Sequence, residues 1–190
     1  MPGGDQSELG IVRLKGELNM TMQPSDRTLA SNAKSMSIIV TKGSLDWAYP
    51  PFILATTAAA MGVDVTMFFT FYGLPLLLKK LDLQLSTQGN PAMKMPVMGK
   101  HMVMPNIVGM LPGVDAAATV MMKNLIKKKG VASIEELREA AVESEVKMIA
   151  CQMTMDLFEY DRKDMIEGIQ IGGAATYIEQ ALKSEVNLYI

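Results

Sequence analysis

The sequence predicts an α/β fold: a mostly parallel sheet of about five strands with helices on both faces. Two observations carry this. Short runs rich in β-branched and aromatic residues alternate with helix-length segments, and Gly, Pro or capping residues punctuate nearly every junction. The hydrophobic fraction, 49% of 190 residues, is enough for one sizeable core.

Residues 1–35 are polar, scattered with Gly3, Gly4, Ser25, Asp26 and Ser31, and hold no period, which predicts a loosely ordered arm. A single domain is expected over 36–190. Residues 36–41 (MSIIVT) read as the first strand, followed by a turn at Lys42, Gly43 and Ser44. A helix is expected over 47–61, with Pro50 and Pro51 in its first turn, where no N–H partner is needed. Strand two spans 63–70 and a short helix 74–81, completing a βαβ unit. The run 52–78 carries one charge, Asp64, and its length alone permits a membrane span. Gly62, Asp64, Gly73 and Pro75 interrupt it, so it reads as buried sheet and helix, with peripheral membrane contact left open.

Residues 82–112 hold no period and contain Gly89, Pro91, Pro96, Gly99 and Pro105, marking a long loop of the kind that tends to be functional. Asp115 caps a helix that Gly130 ends, and Ser133 with Glu136 forms a capping box for a helix to about 145. Glu135, Glu136, Arg138, Glu139 and Glu143 read as its solvated face. Strand three is 146–150, with Cys151 at its carboxyl end. A helix at 152–159, a strand at 169–171, a helix at 173–184 and a strand at 186–190 follow.

Lys and Arg number 18 against 20 Asp and Glu, so no broad basic surface is available for nucleic acid. One cysteine excludes an internal disulfide and a multi-thiolate zinc site. No secretory leader pattern opens the sequence, which makes the cytoplasm the expected compartment. GxSxG, Gx4GK[ST] and GxGxxG are all absent, removing the usual serine-hydrolase, phosphate-loop and dinucleotide signatures. Thr154 stands where a C-x-x-C pair would have its second thiol, so any oxidised or sulfur-loaded state must be resolved by another molecule.

Cys151 is the candidate catalytic residue. Free cysteine is among the most buried residue types, and a core filler is the simplest account of it. Its position between an apolar strand and a helix argues the other way, because unpaired helix N–H groups favour thiolate over thiol. A strand order of 2-1-3-4-5 would place strands one and three side by side, with Lys42, Gly43 and Ser44 beside Cys151 as supporting residues. His101 is a further supporting candidate on the long loop. Met93, Met95, Met98, Met102 and Met104 crowd around it, a set that suits either Cu(I) or adaptable packing.

The apolar first strand with its Gly turn, the Cys-centred MIACQMTMDLF and the later EGIQIGGAATYIEQA together resemble the DsrE/DsrF/TusD-like sulfur-carrier family, over about 36–190. Some members carry the label peroxiredoxin. Met148, however, stands three residues before Cys151, where a true peroxiredoxin has Thr. The resemblance implies a flavodoxin-like domain, homo-oligomers, no cofactor, and a persulfide carried on Cys151. It also implies a sulfur-donor protein of rhodanese or TusA type and an acceptor thiol. The alternative readings are a non-catalytic interaction subunit with a structural cysteine, and a thiol redox protein.

Overall fold

A computed structural model describes residues 35–86 and 113–190. The expected arm, apart from Ser35, and most of the Met-rich loop, including His101, lie outside the described residues. The chain divides into two compact units. One holds 35–43, Trp47–Leu81 and Ile134–Ile190; the other holds Ser44–Asp46 and, of its described residues, 82–86 and 113–133.

The first unit contains the whole sheet: β1 (Ser35–Val40), β2 (Asp64–Phe69), β3 (Lys147–Cys151), β4 (Gln170–Gly172) and β5 (Val186–Tyr189). Every strand pair is parallel. The spatial order is β4-β3-β2-β1-β5, which corrects the expected 2-1-3-4-5. β1 lies between β2 and β5, and β3 neighbours β2 and β4. Burial explains this order. β2 (DVTMFF) buries every residue after Asp64, as a strand covered on both faces must, whereas β5 alternates between half-buried and exposed, as suits an edge.

Register sorts the core into two faces. Ile38, Val40, Val65, Met67, Phe69, Met148 and Ala150 share one face, and all are almost fully buried. Helix α1 (Leu45–Ala60) covers it, with the Phe52 ring 5.9 Å from that of Phe69. Because α1 starts at Leu45, Pro50 and Pro51 fall in its second turn, not its first. They leave the carbonyls of Asp46 and Trp47 without their usual N–H partners. The expected helix at 74–81 is a 3₁₀ segment, Phe71–Leu77, whose Leu74, Leu76 and Leu77 are buried. The run 52–78 is thus spent on α1, β2 and this segment. Among the described residues no helix is long and apolar enough to cross a membrane.

Helix α2 (Val114–Lys128) belongs to the second unit. It is bounded by Gly113 at φ 88 and Gly130 at φ 67, left-handed conformations suited to glycine. In the same unit the Leu85 N–H donates to Thr119 Oγ1 at 2.8 Å, and the Ser86 N–H to Asp46 Oδ1 at 3.0 Å. Helix α3 (Ile134–Glu143) returns the chain to the sheet. Its Arg138 is not on a solvated face: it is 7% exposed and donates to the carbonyls of Leu76 (3.0 Å) and Leu78 (2.6 Å). The 3₁₀ segment ends at Leu78 and leaves carbonyls that need donors, which the guanidinium supplies.

The opposite face of the sheet carries Ser37, Ile39, Thr66, Phe68, Ile149 and Cys151. Helix α5 (Ala174–Ala181) follows the short α4 (Gln152–Leu157) and β4, and seats Tyr177 on this face. The Tyr177 ring stacks on Phe68 with centroids 5.1 Å apart, and its hydroxyl lies 3.0 Å from Ser37 Oγ.

Candidate active site around Cys151

Cys151 ends β3, an inner strand, and is the N-cap residue of α4, with extended backbone at φ −69 and ψ 113. Its side chain joins the cluster of Phe68, Ile149 and Tyr177 and is 4% exposed. Its sulfur makes no side-chain cap hydrogen bond. The surroundings are nonetheless rich in donors. In an N-cap arrangement the side chain meets the N–H groups of the second and third helical residues, here Met153 and Thr154.

Parallel register supplies the other donor. Phe69 pairs with Ala150, so Thr70 follows on beside Cys151, and both side chains point to the α5 face. Thr154, 0% exposed, has its hydroxyl oxygen 3.2 Å from that of Thr70. The Phe71 N–H donates to Thr154 Oγ1 at 3.1 Å. Phe71 holds φ 47, a left-handed conformation that is costly for a bulky residue.

Burial is the largest influence on the Cys151 thiol and pushes its pKa up. The Thr154 hydroxyl and N–H, the Thr70 hydroxyl and the Met153 N–H, by bonding the anion, together outweigh burial and hold the pKa below the ordinary thiol value. A reactive cysteine needs this balance: a sulfur desolvated enough to be a strong nucleophile, with donors arranged for its charge.

Of the supporting residues expected from the sequence, His101 lies outside the described residues. Lys42, Gly43 and Ser44 follow β1, and β2 stands between β1 and β3, so their expected place beside Cys151 falls with the expected strand order. Lys42 Nζ sits over the Trp47 ring, 3.3 Å from its centroid, in a cation–π contact. Gly43 packs against the backbone of Tyr72, and Gly73 against that of Val40. These close approaches thread 70–73 between the end of β1 and Cys151. Ser44 belongs to the second unit. Among the described residues no group of three or more His, Cys, Asp or Glu side chains is placed to hold a metal ion. The site residues that sequence reasoning missed are Thr70, Phe71 and Thr154. The Cys-x-x-Thr spacing from N-cap to third helical residue was the available signal for Thr154. Thr70 had none, because only strand pairing brings it in.

A solved structure, that of the ychN protein from E. coli, aligns over 83% of this chain and 99% of that one, at 12% identity and TM-score 0.48. The uncharacterized protein YrkE of Bacillus subtilis is 32% identical over 174 residues, 85% of this chain and all of that protein. The sulfur carrier protein DsrE2 of Allochromatium vinosum is 57% identical over 157 residues, 83% of this chain and 98% of that protein. Residues 32–189 match the DsrE/DsrF/DrsH-like family, and the chain belongs to that family.

Proposed function

We propose that the protein is a sulfur carrier that holds sulfane sulfur as a persulfide on Cys151. The observation that carries this reading is the place of the nearly buried sulfur, at the end of an inner strand and the N-cap of α4, with the paired hydroxyls of Thr70 and Thr154 beside it. The 57% identity to a protein named a sulfur carrier supports it. In loading, the Cys151 thiolate attacks the outer sulfur of a donor persulfide. A bond forms from Sγ to that sulfur, the donor's S–S bond breaks, and the donor leaves as a thiolate. In discharge, an acceptor thiolate attacks the same outer sulfur and Cys151 departs as a thiolate. Electrons balance within each exchange, so neither step calls for a cofactor.

The donor in this reading is a protein of rhodanese or TusA type, the acceptor is a thiol, and the cytoplasm is the compartment. The carrier works as a homo-oligomer. Support for the last point comes from the α5 side of the sheet, where Ile178 (52%), Leu182 (83%) and Tyr189 (75%) leave apolar surface exposed.

Intact-mass measurement after incubation with a persulfide-loaded rhodanese tests the carrier. The wild type gains one sulfur atom, reductant removes it, and Cys151→Ser gains none. A reduced, alkylatable wild type that takes no sulfur from any such donor would refute the reading in favour of a structural cysteine.

A further inference from the structure

We propose that the hydrogen-bond chain from the Phe71 N–H through Thr154 and Thr70 makes Cys151 a good leaving group, so that Thr154 is a positioning residue for sulfur release. This rests on the carrier reading and adds a direction to it. A peptide N–H can only donate, and the one on Phe71 donates to Thr154 Oγ1 at 3.1 Å. The Thr154 proton is therefore turned away from Phe71. Thr70 Oγ1 lies 3.2 Å from Thr154 Oγ1, and Cys151, the N-cap residue three positions before Thr154, presents its sulfur to the same pair of hydroxyls.

If Thr154 donates to Thr70, the Thr70 proton is passed on to the sulfur; if Thr70 donates to Thr154, the Thr154 proton goes there. Every arrangement that keeps both protons within the cluster ends with an O–H aimed at Sγ. Thr154 is 0% exposed and Thr70 half-buried, so the Thr154 hydroxyl is shielded from water.

The two states of the carrier use this chain unequally. In the empty state Sγ is an anion and accepts the O–H. In the loaded state Sγ is bonded to the outer sulfur and carries no charge, and the charge sits one S–S bond farther out, about 2 Å away. Release of sulfur restores the anion to its donors. The network therefore favours discharge over retention, and sulfur passes on to acceptor thiols of higher pKa, because a thiol of lower pKa leaves faster.

The test loads wild type, Thr154→Val, Thr154→Ser and Thr70→Val from a persulfide-loaded rhodanese and follows discharge to glutathione by intact mass. The pH profile of Cys151 alkylation is recorded for each. In Thr154→Val the alkylation midpoint moves to higher pH. Discharge slows by about threefold per unit of that movement, taking the leaving-group slope to match the nucleophile slope of roughly 0.4–0.5. Thr154→Ser keeps the hydroxyl and restores both readouts, which a purely structural role would not require. Thr70→Val shows the same slowing and carries the test if Thr154→Val does not fold. A Thr154→Val or Thr70→Val protein that loads and discharges at wild-type rates, with an unmoved alkylation profile, overturns the proposal alone. A wild type that takes no sulfur overturns the carrier reading, and the discharge role with it.

Discussion

Replacing Gly73 by Ala tests whether the packing between the end of β1 and the 3₁₀ segment holds the cysteine site together. The added Cβ would lie 2.7 Å from the carbonyl carbon of Val40, 3.1 Å from the nitrogen of Thr41, and closer still to the Val40 oxygen. Carbon atoms rest at about 3.5–4.0 Å, so the backbones must part by roughly 1 Å. No rotamer can absorb this, because both sides are main chain. Val40 O is also the acceptor of the Thr70 N–H at 3.1 Å, and the Gly73 N–H donates to Thr70 O at 3.0 Å. Pushing on that oxygen disturbs the residue whose hydroxyl faces Cys151.

Overpacking costs about 1–3 kcal/mol and a lost buried hydrogen bond about 1 kcal/mol, giving roughly 2–4 kcal/mol in all. For a chain of this size that is a fall in Tm of roughly 5–15 °C. Calorimetry reads the stability, and the pH profile of iodoacetamide reaction reads the site, where the midpoint should rise as Thr70 moves away. A Gly73→Ala protein that melts within a degree or two of wild type, with an unchanged alkylation profile, would show that this close approach does not govern the site.

The depressed pKa of Cys151 links stability to pH. Because the folded value lies below the unfolded one, the thiolate's contribution appears as pH rises through the folded pKa, is complete above the unfolded pKa of about 8.5, and is lost on acidification. Urea titrations across this range should show the stability advantage of wild type over Cys151→Ser growing with pH; a flat difference contradicts the shift. Arg138→Met keeps much of the side-chain volume but leaves the carbonyls of Leu76 and Leu78 without their donor. A loss of about 2–4 kcal/mol is expected in denaturant titration, and a loss under about 0.5 kcal/mol would mean that water replaces the guanidinium. Self-association through the exposed α5 side should appear in light scattering as a mass above the monomer's, lowered by Leu182→Glu; a monomer mass at all concentrations rules it out.

Local chemistry made most elements legible in the sequence. β-branched and apolar runs marked all five strands to within a residue or two, and Gly130 marked a helix end, because strand pleating and helix capping are set by neighbours along the chain. Cys151 at the carboxyl end of a strand was readable for the same reason: an apolar run stops there and a helix begins. Which strand lies beside which was settled only in three dimensions. From β2 to β3 the chain runs through 77 residues, between Phe69 and Lys147, and a crossover that long leaves no local signature of where it returns. The burial demand of DVTMFF pointed to a central β2, a hint that the alternation of elements alone does not convey. That single choice decided the site's chemistry. With β2 beside β3, the hydroxyls of Thr70 and Thr154 neighbour Cys151, where the order 2-1-3-4-5 would have set the turn at Lys42, Gly43 and Ser44. Sequence determines what each segment can bury and how each helix begins; only the packed sheet determines which polar groups are left facing the sulfur, because pairing between distant strands is chosen by the burial of the whole core.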